Sequence, residues 1–162
     1  MKILLDHQTP FQLAHGGLQI QIERTKAALE EKGVDVEYLR WWDDGQTGDI
    51  IHFFGRANPA HIEFAHAKGI RYVMSELLTG QGSREVWQLK MQGIVEKSLR
   101  VTVPRMFLNG FRWDAYTKAD AVVVLTSWEA QIVRILFGTD PLKLNVVPNG
   151  VEVEFFCDAI NP

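Results

Sequence analysis

The stretch "ADAVVVLTSWEAQIVRILFG", residues 119–138, contains one complete strand–turn–helix unit. Its run of valines is too short for a helix and is typical of a buried strand. Thr126 or Ser127 can cap the helix that follows, and Glu129 suits the positive end of the helix dipole. Gly138 is the expected end of this helix. The unit therefore predicts a strand that leads directly into an amphipathic helix.

The same alternation extends over the rest of the chain. Five further short apolar runs predict strands over residues 2–6, 34–39, 49–55, 70–74 and 143–150, the last with its turn. Four other segments have helical periodicity or capping signals, over residues 18–32, 58–68, about 83–100 and about 105–118. Strands that alternate with helices favour an α/β fold with a doubly wound, Rossmann-like parallel sheet of about six strands and helices on both faces. Ligands of such sheets bind beyond the carboxyl ends of the strands.

The composition excludes several classes of protein. A chain of 162 residues, 46% of them hydrophobic, can form one domain with its own core, and a net charge of −3 does not favour nucleic acid. Cys157 is the single cysteine, so neither a disulfide framework nor a thiolate metal site is expected. The first apolar run has only three residues, fewer than a secretory signal or a membrane span requires. We therefore expect a cytoplasmic protein without bound metal.

Gly16 and Gly17 precede the first predicted helix. Glycines at this position allow backbone N–H groups to approach an anion, although a tight turn that needs small residues explains the pair equally well. The pair is not part of a G-x-G-x-x-G motif. Tyr38 and Leu39 stand where a dinucleotide-binding sheet carries an acidic residue, so NAD binding is not expected.

Other strand ends carry a few polar residues. His52 lies inside an apolar run, where a histidine is more often a packed core residue than a catalyst, and Gly55 after it can permit a close backbone approach. Ser75 and Glu76 follow the fourth strand, and Glu76 is either a site carboxylate or an ordinary loop acid. The acidic turn over residues 43–49 lacks the ordered spacing of a metal site.

Four segments, in their order and spacing, resemble the N-terminal domain of GT-B glycosyltransferases of family four. These are retaining enzymes that depend on nucleotide sugars. The segments are "HGGLQIQIERTKAALEEKGVDV" (15–36), "GDIIHFFG" (48–55), residues 119–138 and "KLNVVPNGVEVEFF" (143–156). The last is the most specific, because "Val-Pro-Asn-Gly-Val-Asp" closes the N-terminal domain in that family.

The resemblance implies a function and a domain organisation. Residues 1–150 are expected to form the acceptor-side domain, and residues 151–162 are expected to begin the linker to a second, donor-binding domain. The implied activity is transfer of a sugar from a nucleotide-sugar substrate to an acceptor, without a cofactor or metal, and the fragment alone is expected to be inactive. Two alternatives stay open: a stand-alone, non-catalytic α/β binding module, and an unrelated doubly wound enzyme of the flavodoxin or receiver type.

The resemblance also assigns expected roles to individual residues. Gly16 and Gly17 match the glycine pair that contacts the donor diphosphate or the reacting centre, and Asn149 and Gly150 match a turn at the interdomain hinge. Many members carry a histidine after the fourth strand, where this chain has Ser75 and Glu76, so Glu76 is the candidate catalytic group. The expected acceptor-side residues are His15, His52, Ser75, Glu76, Arg105 and Arg112.

Residues 84–118 combine basic and aromatic side chains. They contain seven Lys or Arg and three acids, a local net charge of +4. Since amphipathic helices usually bury their apolar faces, we expect the aromatic residues of this segment mainly in the core. The resemblance also implies peripheral contact with the inner membrane face, which a cationic helix with an apolar face can make. A third interpretation is an anionic or sugar acceptor beside Arg105 and Arg112.

Overall fold

A single all-parallel sheet of six strands organises the fold. The computed structural model describes residues 1–9, 11, 16–76, 78 and 82–150, and the backbone only at residues 105 and 109. The strand order is β2-β1-β3-β4-β5-β6, and the strands are β1 (Lys2–His7), β2 (Asp35–Tyr38), β3 (Ile50–Phe54), β4 (Arg71–Ser75), β5 (Ala121–Val124) and β6 (Leu144–Val146). The predicted six-stranded, doubly wound α/β sheet is confirmed.

Helices connect most of these strands. They are α1 (Gly17–Glu31), α2 (Pro59–Ala67), α3 (Val86–Thr102), α4 (Arg105–Leu108), α5 (Ala115–Lys118) and α6 (Ser127–Phe137). The prediction of one helix over about residues 105–118 is wrong, because a 3-10 turn, Asn109–Phe111, separates α4 from α5. Arg112 then adopts a φ of 54°, a left-handed conformation that a right-handed helix does not contain.

The alternation of side chains along β1 separates two hydrophobic clusters. Ile3 and Leu5 face α1 and pack with Ile22, whereas Leu4 between them faces the opposite cluster. That larger cluster lies under α2, α5 and α6 and contains most of the buried side chains. Helices therefore cover both faces of the sheet, and the larger part of the core lies on the face opposite α1.

The turn between β5 and α6 has the predicted caps and one further role. Thr126 and Glu129 form a reciprocal capping box, and Gly138 ends the helix with a φ of 68°. The buried carboxylate of Glu129 also accepts hydrogen bonds from the backbone N–H groups of Leu78 and Leu125, at 3.1 and 2.8 Å. Glu129 therefore joins the segment after β4 to the start of α6.

Helix α3 packs directly against α6 at a glycine. A Cβ built on Gly93 would lie 2.9 Å from the backbone carbonyl oxygen of Ile135, closer than ordinary contact allows. Because the obstructing atom belongs to the backbone, it cannot move by a change of rotamer. Gly93 therefore fixes the distance between the two helices.

We predict that Gly93→Ala destabilises the protein by about 1–2 kcal/mol, although alanine favours a helix over glycine by about 1 kcal/mol. The clash with Ile135 outweighs the gain in helix propensity. Urea denaturation measures the difference, and Ser98→Ala, an exposed substitution on the same helix, is the control that should be neutral or slightly stabilising. A Gly93→Ala protein as stable as the wild type would contradict the close packing of α3 on α6.

Candidate functional site

The strand order creates a crevice beyond the carboxyl ends of β1 and β3. The chain leaves β1 for β2 on one side and returns to β3 on the other, so the connections diverge at this point of the sheet. A cleft of about 560 Å³ lies there, a size suited to a small molecule. It is lined by Gln8, Leu18, Gly55, Arg56, Ser75, Glu76, Gly110, Phe111 and Arg112.

Gly55 turns the chain at the end of β3. Its φ of 116° lies in a region that L side chains rarely adopt, and its N–H donates to the carbonyl of Ser75 at 2.7 Å. The N–H of Glu76 in turn donates to the carbonyl of Val123 at 3.2 Å. These backbone bonds hold the residues that follow β3 and β4 side by side at the base of the cleft.

The carboxylate of Glu76 is bound on both of its oxygens. Arg56 contacts Oε1 through Nη2 at 3.0 Å and through Nε at 3.1 Å, and the Tyr116 hydroxyl donates to Oε2. The Glu76 side chain is only 10% exposed. Burial and the negative charge of Glu76 raise the pKa of the Tyr116 hydroxyl far above its ordinary value, so this hydroxyl remains a hydrogen-bond donor. The carboxylate is therefore paired and fixed in orientation.

The guanidinium of Arg56 also has aromatic neighbours. It lies 5.3 Å from the ring centroid of Tyr116 and 5.8 Å from that of Phe137, and these two rings stack on each other at 3.9 Å. Because Arg56 contacts both the carboxylate and the rings, its positive charge is largely compensated within the protein.

Arg112 carries the second guanidinium of the cleft. Its Nη1 donates to the backbone carbonyl of Arg56 at 2.9 Å, and in the described part of the chain no carboxylate pairs with it. The left-handed backbone of Arg112 costs a non-glycine residue roughly 1–2 kcal/mol. The structure thus maintains an unfavourable backbone conformation that brings an uncompensated positive charge to the cleft.

His52 packs beneath the cleft rather than in its lining. Its Nε2 lies 2.7 Å from Oγ of Ser75, and its ring stacks on Phe54 at 4.3 Å. Burial lowers the pKa of His52 to about 4, so the imidazole is neutral at physiological pH. The structure therefore places His52 among packed residues, as the apolar run around it favours.

The remaining predicted site residues do not all lie at the cleft. Gly16 and Gly17 lie at the start of α1 and face open space, and the next residue, Leu18, reaches the cleft. Asn149 and Gly150 are exposed beyond β6, and their hinge role stays a prediction. Three predictions lie outside the described residues and side chains: those for His15, for the side chain of Arg105 and for the linker over residues 151–162.

Sequence reasoning missed several residues of this site. Arg56 directly follows Gly55, so its position after β3 was a usable signal. Gln8 likewise follows β1. Tyr116 gave no such signal, because its contact with Glu76 depends on how α5 packs against the sheet.

The outward surface of residues 84–118 contradicts the expectation that its aromatic residues lie mainly in the core. Trp87 is 63% exposed, and the other exposed apolar side chains of the segment include Met91, Ile94, Val101, Met106, Phe107 and Phe111. Helix α3 instead buries Leu89, Gly93 and Glu96, because the close approach to α6 at Gly93 determines which face packs inward.

Two of the three acids of residues 84–118 pair with an arginine of the same segment. Arg100 bonds both Glu96 and Asp114, each at 2.8 Å, whereas Lys90 and Lys97 are exposed. The surface of α3 is therefore apolar and cationic. Within the described ranges, no helix is long and apolar enough to cross a bilayer, and no three His, Cys, Asp or Glu side chains form a cluster that could hold a metal ion.

Comparison with known proteins assigns no function to this cleft. No model of a protein family matches the chain, and no curated protein matches it. The features that bear on function are therefore the geometry of the cleft and the sequence segments that meet there.

We predict that His52 makes the stability of the protein sensitive to acid. Its folded pKa of about 4 lies below the ordinary value of about 6.5, so the unfolded chain binds a proton that the folded chain rejects. The stability that His52 contributes is fully present above about pH 6.5 and is lost as the pH falls towards 4. Relative to His52→Gln, the wild type should lose about 2 kcal/mol of unfolding free energy between pH 7 and pH 4.5.

Urea denaturation at several pH values measures this difference. His61→Gln replaces an exposed histidine and is the matched control, whose stability should run parallel to that of the wild type. If the His52→Gln curve also runs parallel to the wild type, the proposed neutral, buried state of His52 is wrong.

Proposed function

We propose that the chain is the acceptor-side domain of a glycosyltransferase that transfers a sugar from a nucleotide sugar to an acceptor. One observation carries the proposal: two segments that resemble the family, far apart in sequence, converge at one cleft. Leu18, next to the glycine pair, and Gly55, which ends "GDIIHFFG", both line it. The cleft also lies beyond the carboxyl ends of the strands, where doubly wound folds bind their ligands.

The polar groups of the cleft suit an acceptor hydroxyl. The carboxylate of Glu76 is held in place by Arg56 and Tyr116. Oε1 takes two N–H groups of Arg56, whereas Oε2, which accepts from Tyr116, retains capacity for a further hydrogen bond. We therefore assign to Glu76 the orientation of an acceptor hydroxyl towards the donor, which lowers the entropic part of the barrier.

The donor side of the reaction is assigned to the start of α1 and to a second domain. Backbone N–H groups at Gly16 and Gly17, together with the helix dipole, can stabilise the negative charge of a leaving diphosphate without a metal. The resemblance implies that most contacts with the nucleotide come from such a second domain, which would also close the cleft against water.

A second candidate function is a non-catalytic binding module. Both oxygens of Glu76 are already bonded to Arg56 and Tyr116, an arrangement that a purely structural or binding role explains as well as a catalytic one. A cleft that binds a sugar without transferring it would have the same lining. Turnover, rather than binding, separates the two candidates.

We predict that the protein encoded by the complete reading frame transfers radiolabelled sugar from a UDP- or GDP-sugar, whereas residues 1–162 alone do not. Glu76→Gln should lower kcat/KM by roughly 10–100-fold, since it removes the negative charge that orients the acceptor. Tyr116→Phe keeps the carboxylate and should have a smaller effect. Asp44→Asn, an exposed carboxylate outside the cleft lining, is the control.

Thermal unfolding of each variant separates a loss of fold from a loss of turnover. If the complete protein turns over no donor in a broad panel while a sugar still binds the cleft, the binding module replaces the transferase.

We also propose that residues 84–118 touch an anionic membrane surface. The exposed apolar side chains of α3 and the two exposed lysines beside them form the kind of face that lies in a lipid interface. Arg100 pairs with both Glu96 and Asp114, so this cluster keeps one net negative charge, which the two exposed lysines outweigh. Phe111 belongs both to this surface and to the lining of the cleft, so an acceptor in the membrane would be within reach.

We predict that the chain co-sediments with phosphatidylcholine vesicles that contain about 30% phosphatidylglycerol, and binds neutral vesicles less. Trp87→Gln should weaken this binding about fivefold, because it removes the largest exposed apolar side chain of α3. Trp41→Gln is the matched control, since Trp41 is exposed outside the segment. If the folded protein does not co-sediment with anionic vesicles, the proposed membrane contact is wrong.

A further inference from the structure

The charges of the cleft do not balance. Its lining contains Arg56, Glu76 and Arg112, and Arg56 and Glu76 pair with each other at 3.0 Å. Within the described part of the chain, Arg112 therefore leaves one positive charge unpaired. Its one hydrogen bond to these residues goes to a neutral carbonyl, which leaves most of its five N–H donors available.

A half-buried guanidinium of this kind favours an anion with more than one oxygen. Its planar, forked donors match a carboxylate or a phosphate, and partial removal from water strengthens the attraction. Arg112 is held by its contact with the carbonyl of Arg56, so the charge is already positioned before a ligand arrives. Glu76, the acid of the lining, is bonded to Arg56 and Tyr116 and does not neutralise Arg112.

The residue before Arg112 supplies an apolar surface. Phe111 lines the cleft and is 53% exposed, while its ring is stacked on Trp113 at a centroid distance of 4.7 Å. A ring fixed in this way presents a flat face at little further cost in entropy. The C–H face of a sugar ring is the complementary surface, and a simple inorganic anion would leave Phe111 unused.

We propose that the cleft binds a sugar unit that carries a phosphate or carboxylate group. The anionic group lies on Arg112, the sugar ring lies on Phe111, and the hydroxyls bond to Glu76 and Gln8. That this ligand is the acceptor rests on the proposed glycosyltransferase function, whereas the binding itself does not.

The test is an NMR titration of isotope-labelled chain with glucose 6-phosphate, glucuronate, glucose and inorganic phosphate. At least one of the two anionic sugars should bind ten times or more tightly than glucose and than inorganic phosphate, with shifts at Gly55 and Gly110. Comparison of the two shows whether the site prefers phosphate or carboxylate.

Two variants make the result specific to Arg112. Arg112→Asn removes the charge while retaining a residue that tolerates a left-handed backbone, and it should weaken anionic-sugar binding about tenfold, to the level of glucose. Arg71→Gln removes an exposed positive charge at the amino-terminal end of β4, away from the cleft at the carboxyl ends of the strands. It should leave the affinity for the anionic sugars unchanged. Arg112→Gly should lose binding while the protein stays folded, because glycine adopts this φ without strain.

Three results would overturn the proposal: equal affinities for glucose and both anionic sugars, unchanged binding in Arg112→Asn, or inorganic phosphate bound as tightly as the better of the two anionic sugars. These outcomes are distinct from failure of the transferase proposal. Binding that depends on Arg112 in a complete protein without turnover supports this inference and refutes the transferase. Turnover that Arg112→Asn leaves intact supports the transferase and shows that the anionic sugar is not its acceptor, whereas the titration alone decides the binding.

Discussion

The ion pair between Arg56 and Glu76 is the interaction on which the geometry of the cleft depends. Arg56 follows β3, Glu76 follows β4, and Tyr116 of α5 joins them through its hydroxyl, so one network connects three separate elements. Loss of one partner from a largely buried pair leaves a charge without compensation, which is costly. The carbonyl of Arg56 also holds Arg112, so the opposite wall of the cleft is positioned by the same residue.

Charged residues are arranged differently at two places in the molecule. In α3 and the turn before α5, Arg100 takes up both Glu96 and Asp114, which leaves Lys90 and Lys97 on an apolar surface. In the cleft, a carboxylate and an arginine cancel and a second arginine remains. The molecule therefore has a cationic interior site and a cationic exterior face, and Phe111 is part of both.

The sequence predicts those parts of the fold that local interactions determine. The six strands, the Thr126 cap and the end at Gly138 follow from short-range pattern and backbone preference. The break in the predicted helix over about residues 105–118 does not, because the left-handed Arg112 is stabilised by a carbonyl 56 positions away in the sequence. The buried face of α3 was equally unpredictable: apolar residues occur all round the helix, and the contact at Gly93 selects the face that packs.

Arg112 itself gives the strongest reason to regard this wall of the cleft as functional. A chain that needs only a left-handed turn is better served by glycine or asparagine, which adopt this conformation at little or no cost. The hydrogen bond from this charged donor to the Arg56 carbonyl is worth about 1.5–3 kcal/mol, and the backbone strain of about 1–2 kcal/mol removes most of that gain. Folding stability is therefore a weak reason for an arginine here. A guanidinium with free donors, in the same cleft lining as a fixed aromatic ring and an ordered carboxylate, fits the anionic sugar that we propose as its ligand.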